Sequence, residues 1–121
     1  MSQKHALIIE DEENLTEIFS RVLDMANFQT DFVLAGDVAS EQLAATVPDL
    51  IVLDLHLPRV SGQTILRQIK ADRRLINTKI IIVSADVAAA QLLKHQADAV
   101  LFKPIGIHQL LSAVSQFFPT E

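Results

Sequence analysis

The sequence predicts an α/β fold in which a parallel sheet of five strands lies between helices on both faces. Its short apolar runs are nearly uninterrupted and lack the alternation of polar and apolar residues that marks a sheet with one solvated face. The segments between these runs repeat apolar residues with helical spacing. Because strands and helices alternate along the chain, a doubly wound arrangement with right-handed crossovers follows.

Five segments are candidate strands. The clearest are residues 6–9, 50–53 and 80–83, and the weaker ones are residues 28–34 and 99–102. All are far shorter than the roughly 20 apolar residues of a membrane-spanning helix, and no signal-peptide segment precedes the first one. We therefore expect no membrane association.

The first and last helices have the strongest periodicity. The first apolar stripe consists of Leu15, Ile18, Phe19, Val22 and Leu23. Asn14 and Glu17 have the spacing of a capping box, which predicts the start of this helix. The last stripe consists of Ile107, Leu110, Leu111, Val114, Phe117 and Phe118. Pro119 then predicts its end.

Three shorter helices are predicted between the later strands, over residues 38–46, 62–71 and 87–96. Asp37 and Ser61 are the candidate N-caps of the first two, because short oxygen-bearing side chains satisfy the free N–H groups of a first turn. With the terminal helices, five helices result.

Length and composition indicate one domain over residues 1–121, with no output domain among them. Half of the residues are hydrophobic, and no linker, repeat or Gly-rich nucleotide loop interrupts the chain. The net charge of −5 argues against direct nucleic-acid binding, which needs a concentrated Lys/Arg surface. The absence of cysteine fits a reducing compartment, so we expect the cytoplasm.

Polar residues stand where the apolar runs end. In the flavodoxin-like strand order 2-1-3-4-5, the first and third strands are neighbours, which brings Glu10 and Asp11 beside Asp54. Crowded carboxylates either raise one another's pKa or recruit a cation, and an all-oxygen cluster suits Mg²⁺. Mn²⁺ is the alternative ion.

A carboxylate in such a cluster can also act as a nucleophile toward phosphorus. The charge on the phosphoryl group must then be neutralised by the metal and by cationic or hydrogen-bonding groups. Ser84 and Lys103, which follow the fourth and fifth strands, supply a hydroxyl and an ammonium for this purpose. Asp54, Ser84 and Lys103 are therefore the predicted reacting and phosphoryl-contacting residues.

Four segments, in order, resemble the response regulator receivers of two-component signalling. Residues 7–15 read LIIEDEENL and resemble the opening acidic motif, and residues 48–62 read PDLIVLDLHLPRVSG and resemble the phosphoacceptor segment. Residues 80–85 resemble the hydroxyl-bearing strand, and residues 97–104 resemble the closing Lys-Pro motif. The resemblance covers nearly the whole chain.

The resemblance implies phosphorylation of Asp54 by a sensor histidine kinase or a phosphotransfer protein, and a readout by a downstream effector protein or output domain. It also implies self-catalysed transfer from small phosphodonors and slow self-dephosphorylation. Glu10, Asp11, Asp54 and the main-chain carbonyl of His56 would hold the metal. Ser84 and Lys103 would contact the phosphoryl group.

Three further features come with the resemblance. The Lys103-Pro104 bond is expected to be cis. His56 and Asp86 occupy positions that influence how quickly the acyl phosphate hydrolyses. The fourth helix, last strand and last helix form a common partner face, where a homodimer is possible.

The chain departs from the receiver pattern at two places. Val100 stands where receivers usually carry an aromatic residue, and the hypothesis is that Phe102 serves the output face instead. Lys103 follows Ser84 by only 19 positions, a few fewer than is typical, which predicts a short fourth helix or leading loop.

Two other function classes compete with the phosphorylation switch. One is a receiver-like protein-interaction module regulated without phosphate, which Val100 and the short segment favour. The other is a phosphatase or phosphotransferase with an aspartyl nucleophile. It ranks last because the sequence Asp54-Leu-His lacks a second Asp two residues on and no substrate cap is available.

Overall fold

The computed structural model describes residues 3–119 and confirms the predicted sheet. Its strands are all parallel and lie in the order β2-β1-β3-β4-β5. They are β1 (Lys4–Ile9), β2 (Phe28–Val33), β3 (Leu50–Asp54), β4 (Lys79–Ser84) and β5 (Ala99–Phe102). The three central strands are buried along nearly their whole length, as the uninterrupted apolar runs predict.

Five helices connect the strands. They are α1 (Glu13–Met25), α2 (Gly36–Ala45), α3 (Gly62–Ala71), α4 (Val87–Leu93) and α5 (Ile107–Phe117). Two short 3₁₀ turns, Arg73–Leu75 and Lys94–Gln96, follow α3 and α4. The fourth helix is thus a helix of two turns continued by a 3₁₀ turn, and not one helix over residues 87–96.

Each face of the sheet has its own apolar core. The core below α1 and α5 contains Phe19, Val22, Leu23, Leu110 and Val114. The core below α2, α3 and α4 contains Ala39, Leu43, Ile65, Leu66, Ile69 and Ala90. Side chains of one strand alternate between the two cores, so that β1 sends Ala6 and Ile8 to the first and Leu7 and Ile9 to the second.

The first helix differs from its prediction in two respects. It begins at Glu13, and its N-cap residue is Glu12, whose side chain makes no capping hydrogen bond. The predicted capping box of Asn14 and Glu17 is therefore wrong. The stripe is also narrower than predicted, because Ile18 is partly exposed whereas Thr16 is buried. The Thr16 hydroxyl can be buried because it donates to the carbonyl of Glu13 at 2.7 Å.

The predicted caps of the next two helices have different outcomes. Asp37 is not an N-cap, since α2 begins one residue earlier, at Gly36, with Ala35 in the cap position. Ser61 is confirmed as an N-cap, because its hydroxyl accepts a hydrogen bond from the Thr64 amide at 3.2 Å.

Within residues 3–119 no helix is long and apolar enough to cross a membrane.

Candidate functional site

The predicted polar residues meet at one rim of the sheet because the strands are parallel and therefore end on the same side. Glu10 follows β1, Asp54 and Ser84 are the last residues of β3 and β4, and Lys103 follows β5. Main-chain hydrogen bonds hold the rim together. The Glu10 amide donates to the carbonyl of Val33 at 3.1 Å, and the Lys103 amide donates to the carbonyl of Ser84 at 2.9 Å.

Three carboxylates form the centre of the site. Glu10, Asp11 and Asp54 each offer one oxygen, and these oxygens lie within 4.8 Å of one another. Glu10 and Asp54 are buried, with 1% and 2% of their surface exposed, whereas Asp11 faces solvent. An all-oxygen donor set is what Mg²⁺ prefers, and the open side leaves room for the several waters that this ion keeps. The residues therefore fit the predicted ion.

Lys103 lies among the carboxylates as their counter-ion. Its Nζ is 2.9 Å from Glu10 Oε1, 3.4 Å from Asp54 Oδ2 and 3.5 Å from Glu12 Oε1. Burial disfavours the ammonium form, but these acidic neighbours outweigh it and keep the pKa of Lys103 above its ordinary value. The Lys103–Pro104 bond is cis, as the resemblance implies.

Glu10 is the most perturbed acid of the site. Burial raises its pKa to about 8, and the neighbouring Asp54 adds to the rise, while the hydrogen bond from Lys103 opposes it. The second oxygen of Glu10 accepts the Glu12 amide at 3.2 Å. Near neutral pH the site therefore keeps a proton that a divalent cation would displace.

Ser84 ends the strand next to that of Asp54, and the main chain of His56 contacts Asp54. The Ser84 side chain is fully buried, and its Oγ accepts the Asp86 amide at 2.9 Å. The His56 amide donates to Asp54 Oδ1 at 3.1 Å. This hydrogen bond brings the main chain of His56 to the cluster, while its carbonyl as a metal ligand stays a prediction.

Two further acidic residues lie around the site. The sequence did not assign Glu12 to it, and the resemblance placed Asp86 near the acyl phosphate without predicting that it caps α4. Glu12 contacts Lys103, as described, and Asp86 caps α4 by accepting the Ala89 amide at 3.0 Å. Asp86 also lies 3.6 Å from the His56 ring, so these two side chains face each other at the mouth of the site. Asp86 directly precedes an alanine-rich segment, and an Asp in that position is the sequence signal for an N-cap.

Two glycines let the loop between β3 and α3 approach its neighbours. A Cβ on Gly62 would lie 2.4 Å from the carbonyl oxygen of Asp54, and one on Gly36 would lie 2.0 Å from that of Val60. Arg59, in the same loop, has a positive φ of 70° and pairs with Asp37 at 3.3 Å. The loop that leaves Asp54 is thus packed between the first turns of α2 and α3.

The sequence and structure resemble known receiver domains. The family model described as the response regulator receiver domain matches residues 6–115. The response regulator ArlR of Staphylococcus saprophyticus is 35% identical over 113 residues, which cover 89% of this chain and 49% of that protein. The chain thus spans about half the length of the curated relatives that it matches.

Solved structures share the fold over nearly the whole chain. The CheY-like receiver domain from Methylobacillus flagellatus is 30% identical with a TM-score of 0.85, and the match covers 96% of this chain and 99% of that one. The response regulator TrrA of Thermotoga maritima, in complex with Mg²⁺-BeF, has a TM-score of 0.83 at 24% identity, covering 94% and 98%. The second likeness supports the fold alone.

Proposed function

Because the chain belongs to the response regulator receiver domain family of two-component systems, we propose that it is a signalling switch phosphorylated on Asp54. One observation carries the proposal. The buried Asp54 carboxylate lies at the same rim as Glu10, Asp11, Ser84 and Lys103, although these residues come from four different strand ends. Independent structural explanations for each residue would not place all of them together.

The transfer step that fits this rim is nucleophilic substitution at phosphorus. A carboxylate oxygen of Asp54 bonds to the phosphorus of a phosphohistidine on a sensor histidine kinase or phosphotransfer protein. The P–N bond breaks, and the imidazole nitrogen keeps the electron pair and takes a proton. The Lys103 ammonium and the Ser84 hydroxyl then donate to phosphoryl oxygens of the resulting acyl phosphate.

Glu10, Asp11, Asp54 and the main-chain carbonyl of His56 would hold Mg²⁺, with Mn²⁺ as the alternative. Bound there, the ion supplies positive charge that offsets the charge on the phosphoryl oxygens. Without the ion, Lys103 neutralises these carboxylates. With the ion in that role, the Lys103 ammonium would be free to turn toward the phosphoryl group. Beyond this self-catalysed transfer and its own dephosphorylation, we assign the chain no enzymatic turnover.

Phosphorylation would be read by an effector protein or output domain through the face formed by α4, β5 and α5. Phe102 lies on this face with 37% of its surface exposed, whereas Val100 packs against the core below α2, α3 and α4. We therefore assign the output role to Phe102. A homodimer through the same face is part of the proposal.

The decisive experiment uses acetyl phosphate with Mg²⁺ and intact mass spectrometry. We expect a single added phosphoryl group that is absent without the metal and absent in Asp54→Asn. No adduct with any donor would instead favour the second candidate, an interaction module regulated without phosphate, which Val100 and the short α4 support. Rapid turnover of phosphoesters would indicate an enzyme.

A further inference from the structure

The cations of this acidic chain are concentrated at the end of the molecule opposite the carboxylate cluster. Five of its ten Lys and Arg residues lie between positions 67 and 79. They are Arg67, Lys70, Arg73, Arg74 and Lys79. This segment contains the second half of α3, the 3₁₀ turn after it and the first residue of β4. It therefore lies at the rim where the strands begin, away from Asp54.

Two of these cations border a small cavity with an apolar floor. The cavity has a volume of about 120 Å³ and lies between the end of α3 and the start of β4. Its lining includes the apolar side chains of Ile69, Leu75 and Ile80, with Lys70 and Arg73 at the edge. The volume is roughly four times the share of one water in the liquid, about 30 Å³. A branched aliphatic side chain fits such a space.

Ile76 extends this apolar surface outward. It lines the same cavity and is nevertheless 80% exposed, among the most exposed large apolar residues within residues 3–119. A single exposed isoleucine is ordinary by itself. Here it adjoins the apolar part of the cavity wall, which Ile69, Leu75 and Ile80 form, so the exposed apolar surface is continuous with that part.

Two cations at the cavity edge, Lys70 and Arg73, have no acidic partner in the part of the chain that the structure describes. Asp72 also lines the cavity, but it is engaged by Arg74 through contacts of 2.6 and 3.1 Å, which hold the pKa of that carboxyl below its ordinary value. Across residues 3–119, no carboxylate lies within ion-pair distance of Lys70 or Arg73. Lys70 complements the α3 dipole, which accounts for one cation and not for Arg73 beyond the helix.

We propose that this cavity is a docking site for an acidic segment of a partner protein, in which an apolar side chain is flanked by carboxylates. The apolar side chain would fill the cavity beside Ile76, and the carboxylates would face Lys70 and Arg73. Two cations and an apolar floor suit such a segment better than a polyanionic surface, which gains its affinity from many phosphate contacts. Because the cavity and the Asp54 rim lie at opposite ends of the sheet, docking and phosphorylation do not exclude each other.

The test is an NMR titration of the ¹⁵N-labelled intact chain with a capped peptide of sequence Glu-Glu-Leu-Glu-Glu. We expect saturable amide shifts around residues 69–80 and none around Asp54. Lys70→Glu and Arg73→Glu should each weaken binding by roughly three- to tenfold, since rim charges contribute modestly. Ile76→Ser should weaken it as well. Arg67→Glu is the matched control, because Arg67 is exposed on the same helix but does not line the cavity.

Several results would overturn the proposal. They are equal binding of a Lys-Lys-Leu-Lys-Lys peptide, equal binding after the leucine is replaced by serine, and an Arg67→Glu effect as large as that of Arg73→Glu. Tighter binding of a short oligothymidylate or of phosphatidylserine vesicles would also contradict it by indicating a general anion surface. Labelling of Asp54 by acetyl phosphate should be unchanged in every variant, which separates this proposal from the proposed function.

Discussion

At the scale of single residues, Lys103 determines how the carboxylate cluster is tolerated without a metal. Glu10 and Asp54 are almost fully buried, and two buried acids at this distance repel each other unless a cation or a proton neutralises them. The Lys103 ammonium contacts both. The sequence predicted that Glu10, Asp54 and Lys103 lie at one rim. It did not predict that Lys103 also contacts Glu12, because Glu12 is exposed and no sequence pattern indicates the direction of its side chain.

Replacing Lys103 with methionine should therefore destabilise the metal-free protein by roughly 1 to 3 kcal/mol. The loss stays below that of a fully unpaired buried charge because the raised pKa of Glu10 already keeps a proton in the cluster near neutral pH. Added Mg²⁺ should restore most of the stability, which urea unfolding followed by far-UV circular dichroism would measure. Equal losses with and without Mg²⁺ would show that Lys103 acts by packing alone.

The raised pKa of Glu10 predicts a pH dependence of stability. Its ordinary value is 4.5 and its value in the fold is about 8, so between these pH values the folded state binds a proton that the unfolded state does not. The free energy of unfolding of the metal-free protein should then fall as pH rises from 5 to 8, by at most about 1.4 kcal/mol per pH unit.

Urea unfolding at several pH values with a chelator present would measure this slope. Glu10→Gln should flatten it, whereas Glu13→Gln, at an exposed position of α1, should leave it unchanged. A slope that persists in Glu10→Gln would assign the pH dependence to another group. The pKa of Lys103 is raised above its ordinary value of 10.5 by its acidic neighbours, so the loss of its charge is a separate effect outside this window.

At the scale of elements, strand positions were predictable and helix starts were less so. An uninterrupted apolar run has few alternatives to a buried parallel strand, and the polar residue that ends it falls at the common rim. A helix start depends on which of several adjacent polar residues turns its side chain back to the backbone. Asn14 and Asp37 have suitable side chains but lie inside their helices, while Ser61 lies one residue before α3 and does cap it.

The contact of α2 with the loop after Asp54 gives a prediction at this scale. An added Cβ at Gly36 would lie 2.0 Å from the Val60 carbonyl oxygen, so the loop must shift. We expect Gly36→Ala to cost about 1 to 3 kcal/mol of stability and to slow the labelling of Asp54 by acetyl phosphate, because the same loop leads away from that residue.

Gly106→Ala is the matched control for this substitution. A Cβ at Gly106 would meet only the Gln109 side chain, at 3.7 Å, which is an ordinary contact. Its labelling rate should stay close to that of the unchanged protein, and its stability should fall by at most about 1 kcal/mol, because Gly106 is the N-cap residue of α5 and alanine is less favourable there. Comparable effects of the two substitutions would mean that the loss comes from helix starts in general and not from the loop.

At the scale of the whole molecule, the proposed site and the proposed output surface are joined by one strand. Phe102 pairs with Ser84 in the sheet register and is followed directly by Lys103, so its backbone lies between the two residues assigned to the phosphoryl group. A displacement of the Lys103 backbone toward that group would be passed directly to Phe102, its neighbour in the chain. The sequence did not show this link, since the strand register is a property of the assembled sheet.

Phosphorylation should therefore change the environment of Phe102 more than that of surfaces at the far end of the sheet. Amide and aromatic NMR spectra with acetyl phosphate and Mg²⁺ should show shifts at Phe102 and its neighbours in α4 and α5, and small ones around Ile76. Because the proposed Mg²⁺ site lies at the same carboxylate rim, the reference is the same protein with Mg²⁺ and without acetyl phosphate. If the surface around Phe102 stays unchanged while Asp54 is fully phosphorylated, Phe102 does not serve the output face, and the readout must be carried by another surface.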